Sequence, residues 1–203
     1  MNKSARWVLW VTVFVGLLTP FLLLLGRIAS QSLGPDPAQA LTHSTGEWTL
    51  RFLVLVLLAR PLAQYGYPFL FRFRRMLGNF AFLYASLHLL VFAQVYIGWS
   101  GEILAEELAE RPYVLVGFSA WFLMLPLAIT STNGMRRRLG RNWKLLHRAV
   151  YAVAVLGTLH LLWLSRSDIG EAVIYGAVFA ILLGWRAKRL LRRLFNKMLA
   201  TES

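Results

Sequence analysis

The sequence predicts an all-α, polytopic integral membrane protein with six transmembrane helices, and three observations carry that expectation. Hydrophobic residues make up 58% of the 203 and charged ones only 15%, with a mean hydropathy of +0.56. That is more apolar surface than a water-soluble core of this size can bury. Six apolar runs each come close to the ~20 residues that a helix needs to cross about 30 Å of hydrocarbon. The runs do not alternate polar with apolar positions, as the ~10-residue strands of a membrane barrel would.

The first run extends from Trp7 to Leu25. Lys3 and Arg6 before it also suit a secretory signal, but the run exceeds the ~7 to 15 apolar residues of a cleavable segment and lacks a small-x-small exit, so it is read as a span. The others run from Trp48 to Tyr65, Leu77 to Trp99, Tyr113 to Ser131, Leu145 to Leu164 and Glu171 to Trp185. Trp7, Trp48, Trp99, Trp143 and Trp185 lie at span ends, where an amphipathic ring anchors at the interface. Between spans one and two, Ile28 to Glu47 reads as a short polar loop carrying Gly34-Pro35-Asp36-Pro37, and Ser100 to Pro112 is an acidic stretch of helical composition. From Arg186 onward Leu190, Leu191, Leu194, Phe195 and Met198 interleave with basic residues, which suits a helix lying on the membrane surface. No loop has room for an enzyme fold, so residues 1 to 203 read as one membrane domain.

The net charge of +13 follows topology rather than nucleic-acid binding. Seventeen of the 22 basic residues cluster at Lys3 and Arg6, at Arg72, Arg74 and Arg75, from Arg136 to Arg148, and from Arg186 to Lys197. With both termini on one side these clusters share a face, which the positive-inside tendency makes cytoplasmic. Asp36, Glu47, Glu102, Glu106, Glu107, Glu110, Asp168 and Glu171 fall in or beside the opposite loops, leaving only Glu202 inside. There is no cysteine, which excludes disulfides, thiolate-bound zinc and iron–sulfur clusters.

Three of the four histidines, His88, His147 and His160, fall within predicted spans. An ionisable side chain in hydrocarbon is costly and marks a candidate functional site. Imidazole is also the usual protein ligand of haem iron. Spans three and five run in the same direction, so depths compare directly at ~1.5 Å per residue. His88 lies near mid-bilayer, His147 at the inner boundary, and His160 about 20 Å further out than His147. One flat group held by two imidazoles would therefore join His88 with His160 and leave His147 to a second, inner site. On one ideal helix, thirteen residues put His147 and His160 some 140° apart, which weighs against both facing one partner. Ala85 and Gly157, each three residues before an outer histidine, offer clearance for a large ring, or simply close helix packing. His43 reads as a solvated loop residue.

Arg74-Arg75-Met76-Leu77-Gly78 with Tyr84 and His88, then Trp143-Lys144-Leu145-Leu146-His147-Arg148 with Tyr151 and His160, resemble the MsrQ family. These are haem-binding membrane subunits of bacterial methionine sulfoxide reductase systems, within the wider ferric-reductase-like transmembrane group that includes the NADPH oxidases. The resemblance covers nearly the whole chain. It implies one or two haems b, possible FMN, His88, His160 and His147 as iron ligands, and an inner-membrane electron path. The path runs from the quinone pool or a cytoplasmic flavin reductase to a periplasmic molybdenum partner, MsrP. Four-histidine members of the wider group carry a ligand pair on each of two helices, but here the positions thirteen and fourteen before His88 are Arg75 and Arg74. Arginine has no lone pair for iron, which leaves the inner site open between a five-coordinate haem, another ligand, and no haem. Arg74, Arg75 and Arg148 are either clamps for haem propionates or a flavin phosphate, or positive-inside determinants.

A haem with two imidazole ligands has no open coordination position and transfers electrons. With no room in the chain for a fused flavin and nucleotide domain, its donor is expected to be a separate molecule. The acidic outer loops are candidate docking surfaces for the partner. Two other readings are a self-contained haem reductase of ferric chelates or dioxygen, and a proton-coupled transporter with the histidines as relay.

Overall fold

The computed structural model describes residues 2–165 and 169–199, and all its regular structure is helical. Nine α-helices follow one another: α1 (Lys3–Ala29), α2 (Pro37–Gln64), α3 (Phe69–Phe92), α4 (Gly101–Glu110), α5 (Pro112–Ile129), α6 (Asn133–Leu139), α7 (Arg141–Leu146), α8 (Ala149–Leu164) and α9 (Gly170–Leu199). A π-helical segment, Ala93–Ile97, prolongs α3. Among the described residues, five stretches are long and apolar enough to cross a membrane: Lys3–Ala29, Phe69–Ile97, Pro112–Ile129, Arg141–Leu164 and Gly170–Lys188. α2 has the length, but it carries Glu47, Arg51 and Arg60.

Two helical hairpins build the bundle. α2 packs along α3, and α5 along α8, while α3 and α8 make little direct contact. A tight turn at Gly66, whose φ of +91° suits a residue without a side chain, folds α3 back onto α2. α2 is the central helix, with Leu50, Phe52, Leu53, Val56, Leu57 and Ala59 all buried. All but Ala59 meet Leu77, Phe80, Ala81 and Tyr84 of α3, Val153 and Ala154 of α8, and Phe179 and Leu182 of α9 in one core. Large apolar side chains such as Leu23, Phe122 and Ile181 point outward from the bundle, as lipid-facing positions must.

Several boundaries differ from the sequence expectation. Ile28 to Glu47 is mostly helix, because Asp36 accepts from the Gln39 N–H at 2.9 Å as N-cap and Pro37 occupies the first turn, a favoured helix start. The fifth span is broken. α7 ends at Leu146, His147 donates its N–H to Trp143 O and Arg148 to Leu145 O, and α8 starts afresh at Ala149. The sixth span and the basic tail form one uninterrupted helix through Leu199 rather than a span followed by a separate surface helix. Asp168 and Glu202 lie outside the described residues.

Two prolines expose main-chain groups that side chains from other helices then satisfy. Pro61 lacks the N–H that would bond to Leu57 O four residues back. Arg186 of α9 reaches across and donates to that carbonyl at 2.8 Å. The same guanidinium bonds the Tyr151 hydroxyl and lies over the Tyr151 ring, 4.9 Å from its centre. Beside Pro20 in α1, the Tyr84 hydroxyl accepts from Phe21 N–H at 2.8 Å and donates to Leu17 O at 3.2 Å. These two groups would otherwise bond each other, so the buried Tyr84 fastens α1 to α3.

Arg186→Met is expected to destabilise the protein by about 1–3 kcal/mol, the usual cost of an orphaned buried acceptor. In a Pro61→Ala background, which restores the missing donor, the loss should be smaller. Thermal melts of the two single variants and the double variant in detergent measure this coupling. Equal losses in both backgrounds would show that Leu57 O is not what Arg186 serves.

Candidate functional site

His88 sits one turn before the end of α3, and His160 one turn before the end of α8. The structure brings their side chains together, with ring centres 6.1 Å apart and planes 88° to each other. His88 Nδ1 lies 2.9 Å from Thr42 O of α2, with Thr45 Oγ1 at 3.4 Å. His160 Nδ1 lies 2.7 Å from Tyr113 O of α5. A carbonyl only accepts, so each ring carries its proton on Nδ1 and keeps the Nε2 lone pair free. A metal-ligating histidine is typically held in this tautomer by its outer hydrogen bond.

A helical carbonyl is usually screened from a neighbouring ring. It already accepts from the N–H four residues on, and that residue's Cβ leans back over the same turn. Both histidines solve this in the same way. Four residues after Thr42 stands Gly46, where a Cβ would lie 3.3 Å from His88 Nδ1 and Cε1. Four residues after Tyr113 stands Gly117, where a Cβ would lie 2.6 Å from His160 Nδ1 and 2.8 Å from Cε1. Clearance thus comes from the neighbouring helices. At Gly157 a Cβ would meet only Leu50 of α2 at 3.5 Å, and Ala85 packs against the core.

His147 stands apart, in the break between α7 and α8. Its Nδ1 lies 3.0 Å from Trp143 O, its ring stacks on Trp143 at 3.9 Å, and its Nε2 is buried without a partner. It lines a cavity of about 80 Å³ together with Arg74, Arg75, Asn79 and Trp143. The expected neighbours Arg74 and Arg75 are therefore at this inner site. Arg75 also bonds Asn133 Oδ1 at 2.5 Å and Ser131 O at 3.4 Å. Arg148 is exposed at the start of α8 and is not part of the cavity wall. His43 lies on α2 rather than in a loop, exposed but 3.2 Å from Glu171 of α9 and 3.8 Å from Glu47. Glu47 pairs with Arg51 at 2.8 Å.

Residues 45–158 match the family model described as ferric reductase like transmembrane component. A protein-methionine-sulfoxide reductase heme-binding subunit MsrQ from Xanthomonas oryzae pv. oryzae (strain MAFF 311018) is 48% identical over 78% of this chain and 73% of its own length. The protein of the same name from Polaromonas naphthalenivorans (strain CJ2) is 44% identical over 86% of this chain and 81% of its own. The chain belongs to the ferric reductase-like transmembrane family, among its MsrQ members. No solved structure matches it. The family match takes in Gly46, His88, Gly117 and His147 and stops two residues before His160.

The glycines give a graded test of this packing. Gly117→Ala is expected to cost roughly 1–3 kcal/mol through overpacking against His160. Gly46→Ala should cost less, and Gly157→Ala little, because ordinary contact there is offset by alanine's helix preference of up to about 1 kcal/mol. Melting temperatures of the three variants should follow that order, and a Gly157→Ala loss as large as that of Gly117→Ala would refute it.

Proposed function

We propose that this chain is the electron-carrying membrane subunit of a protein-methionine-sulfoxide reductase, with His88 and His160 as the two iron ligands of one haem b. The observation that carries the reading is the outer pair, two imidazoles from different helices, each with its Nδ1 proton held by a main-chain carbonyl. Their ring centres lie 6.1 Å apart, so the two side chains would hold the iron of one group from different helices. Supporting this, the relatives named above are heme-binding subunits. When bound, the haem supplies a reversible one-electron couple whose potential depends on its ligands and burial.

The chain's own residues do the rest. Thr42 O and Tyr113 O fix the tautomer and orientation of the two imidazoles and raise their basicity as ligands. Gly46 and Gly117 let the rings reach those carbonyls. Trp121 and Phe82, with ring centres 6.0 Å apart, add aromatic bulk where α5 meets α3. At the inner end, Arg74 and Arg75 offer fixed positive charge for haem propionates or an FMN phosphate. The unpartnered His147 Nε2 offers a single further ligand, for a second haem. Positive-inside topology and family likeness together favour α2 as a sixth span, cytoplasmic termini and a bacterial inner membrane. Electrons would enter from the quinone pool or a cytoplasmic flavin reductase and leave to a periplasmic molybdenum partner, MsrP.

Reduced-minus-oxidised visible spectra with haem quantification test the assignment. His88→Ala and His160→Ala should each lose the outer haem, whereas His147→Ala should retain it. Loss of all haem in His147→Ala with retention in His88→Ala would overturn the pairing. A colourless wild-type protein would overturn the haem reading altogether.

A further inference from the structure

We propose that the groove between α1 and α3, on the basic side of the molecule, is a binding site for an anionic phospholipid. The groove is open, about 870 Å³ in volume, and lined toward one end by Arg6, Arg72, Phe73 and Arg75 and further in by Trp10, Phe14 and Phe80. α1 and α3 both run inward from this side, so the two walls can be compared residue by residue. Arg6 precedes Phe14 by eight residues and Arg72 precedes Phe80 by eight, about 12 Å of helix in each case. The Phe14 and Phe80 rings meet at 5.3 Å edge to face and close the inner end. Charge at the mouth and aromatic surface about two turns deeper match a phosphate headgroup followed by an acyl chain.

The arginines favour an anion over a neutral amphiphile. Among the described residues, none of the three pairs with a carboxylate. Arg75 is oriented by Asn133 Oδ1 and Ser131 O, neither of which cancels its charge. Basic pockets between membrane helices select anionic headgroups for this reason.

The test uses the full-length protein in a neutral detergent, with phosphatidylglycerol or phosphatidylcholine of the same acyl chains added and bound lipid counted by native mass spectrometry. The wild type is expected to retain phosphatidylglycerol preferentially. Arg6→Gln/Arg72→Gln should lower that retention roughly tenfold or more, whereas Arg6→Lys/Arg72→Lys should keep most of it. Arg137→Gln/Arg138→Gln, the same charge change on α6 outside the groove, should leave it unaltered. Equal retention of the two lipids, or an equal loss in the α6 variant, would overturn the site in favour of diffuse surface attraction. Displacement of the lipid by millimolar inorganic phosphate would overturn the acyl-chain half of the proposal and with it the lipid as occupant.

Discussion

The outer histidine pair depends on one hydrogen bond made twice, from an imidazole Nδ1–H to a main-chain carbonyl inside a neighbouring helix. The bond holds the proton on Nδ1 and leaves a lone pair on Nε2. It also requires the ring to lie almost against the helix backbone. That requirement places a glycine at the residue whose Cβ would cover the carbonyl, at position 46 on α2 and position 117 on α5. The two hairpins, α2 with α3 and α5 with α8, are thus each a histidine helix paired with the helix that orients its histidine.

A lipid environment explains why such bonds recur elsewhere in the bundle. With no water to satisfy a stray carbonyl or N–H, each unpaired group in hydrocarbon costs several kcal/mol. Pro61 and Pro20 each disturb a helical ladder, and in each case a polar side chain from another helix bonds beside the break. Those repairs are tertiary contacts as well. Arg186 ties α9 to α2 and α8, and Tyr84 ties the peripheral α1 to α3, one helical turn before His88. The prolines thus add specific polar contacts to the pairings α9 with α2 and α1 with α3.

How much of this was legible depends on whether a feature is local in sequence. Apolar runs, charge segregation and the relative depths of His88, His147 and His160 were readable, since each follows from residue type and a fixed rise per residue. The start of α2 was also written locally, in Asp36-Pro37, but the prolines and glycine around it read as a loop. The glycines at 46 and 117 matter only because of what packs on them, and nothing within either helix announces the neighbour. Gly157 is beside His160 in sequence, but the glycine that gives the ring its clearance stands 40 positions earlier, at 117. Arg186 reads as one more basic residue of a tail because its partner, an orphaned carbonyl at Leu57, is visible only once α9 lies against α2. The break after Leu146 has neither proline nor glycine to mark it.

That break changes the relation between the two histidines of the fifth span. On a continuous helix His147 and His160 would diverge by some 140°, and a single partner could not face both. With α7 and α8 as separate segments, the orientation of His147 is set by Trp143, whose carbonyl takes its proton and whose ring stacks on it. Trp143 is in turn held by its indole N–H on Thr130 O at 2.9 Å. The inner histidine is thus positioned by the loop side of α5 and the outer one by the far end of the same helix. Arg74 and Arg75 line the same cavity as His147 and attract an anionic group there. A buried imidazole lone pair in a cavity shared with two arginines suits an anionic group that also carries a hydrogen-bond donor for the ring, whereas among the described residues the outer imidazoles bond main-chain carbonyls and no charged group.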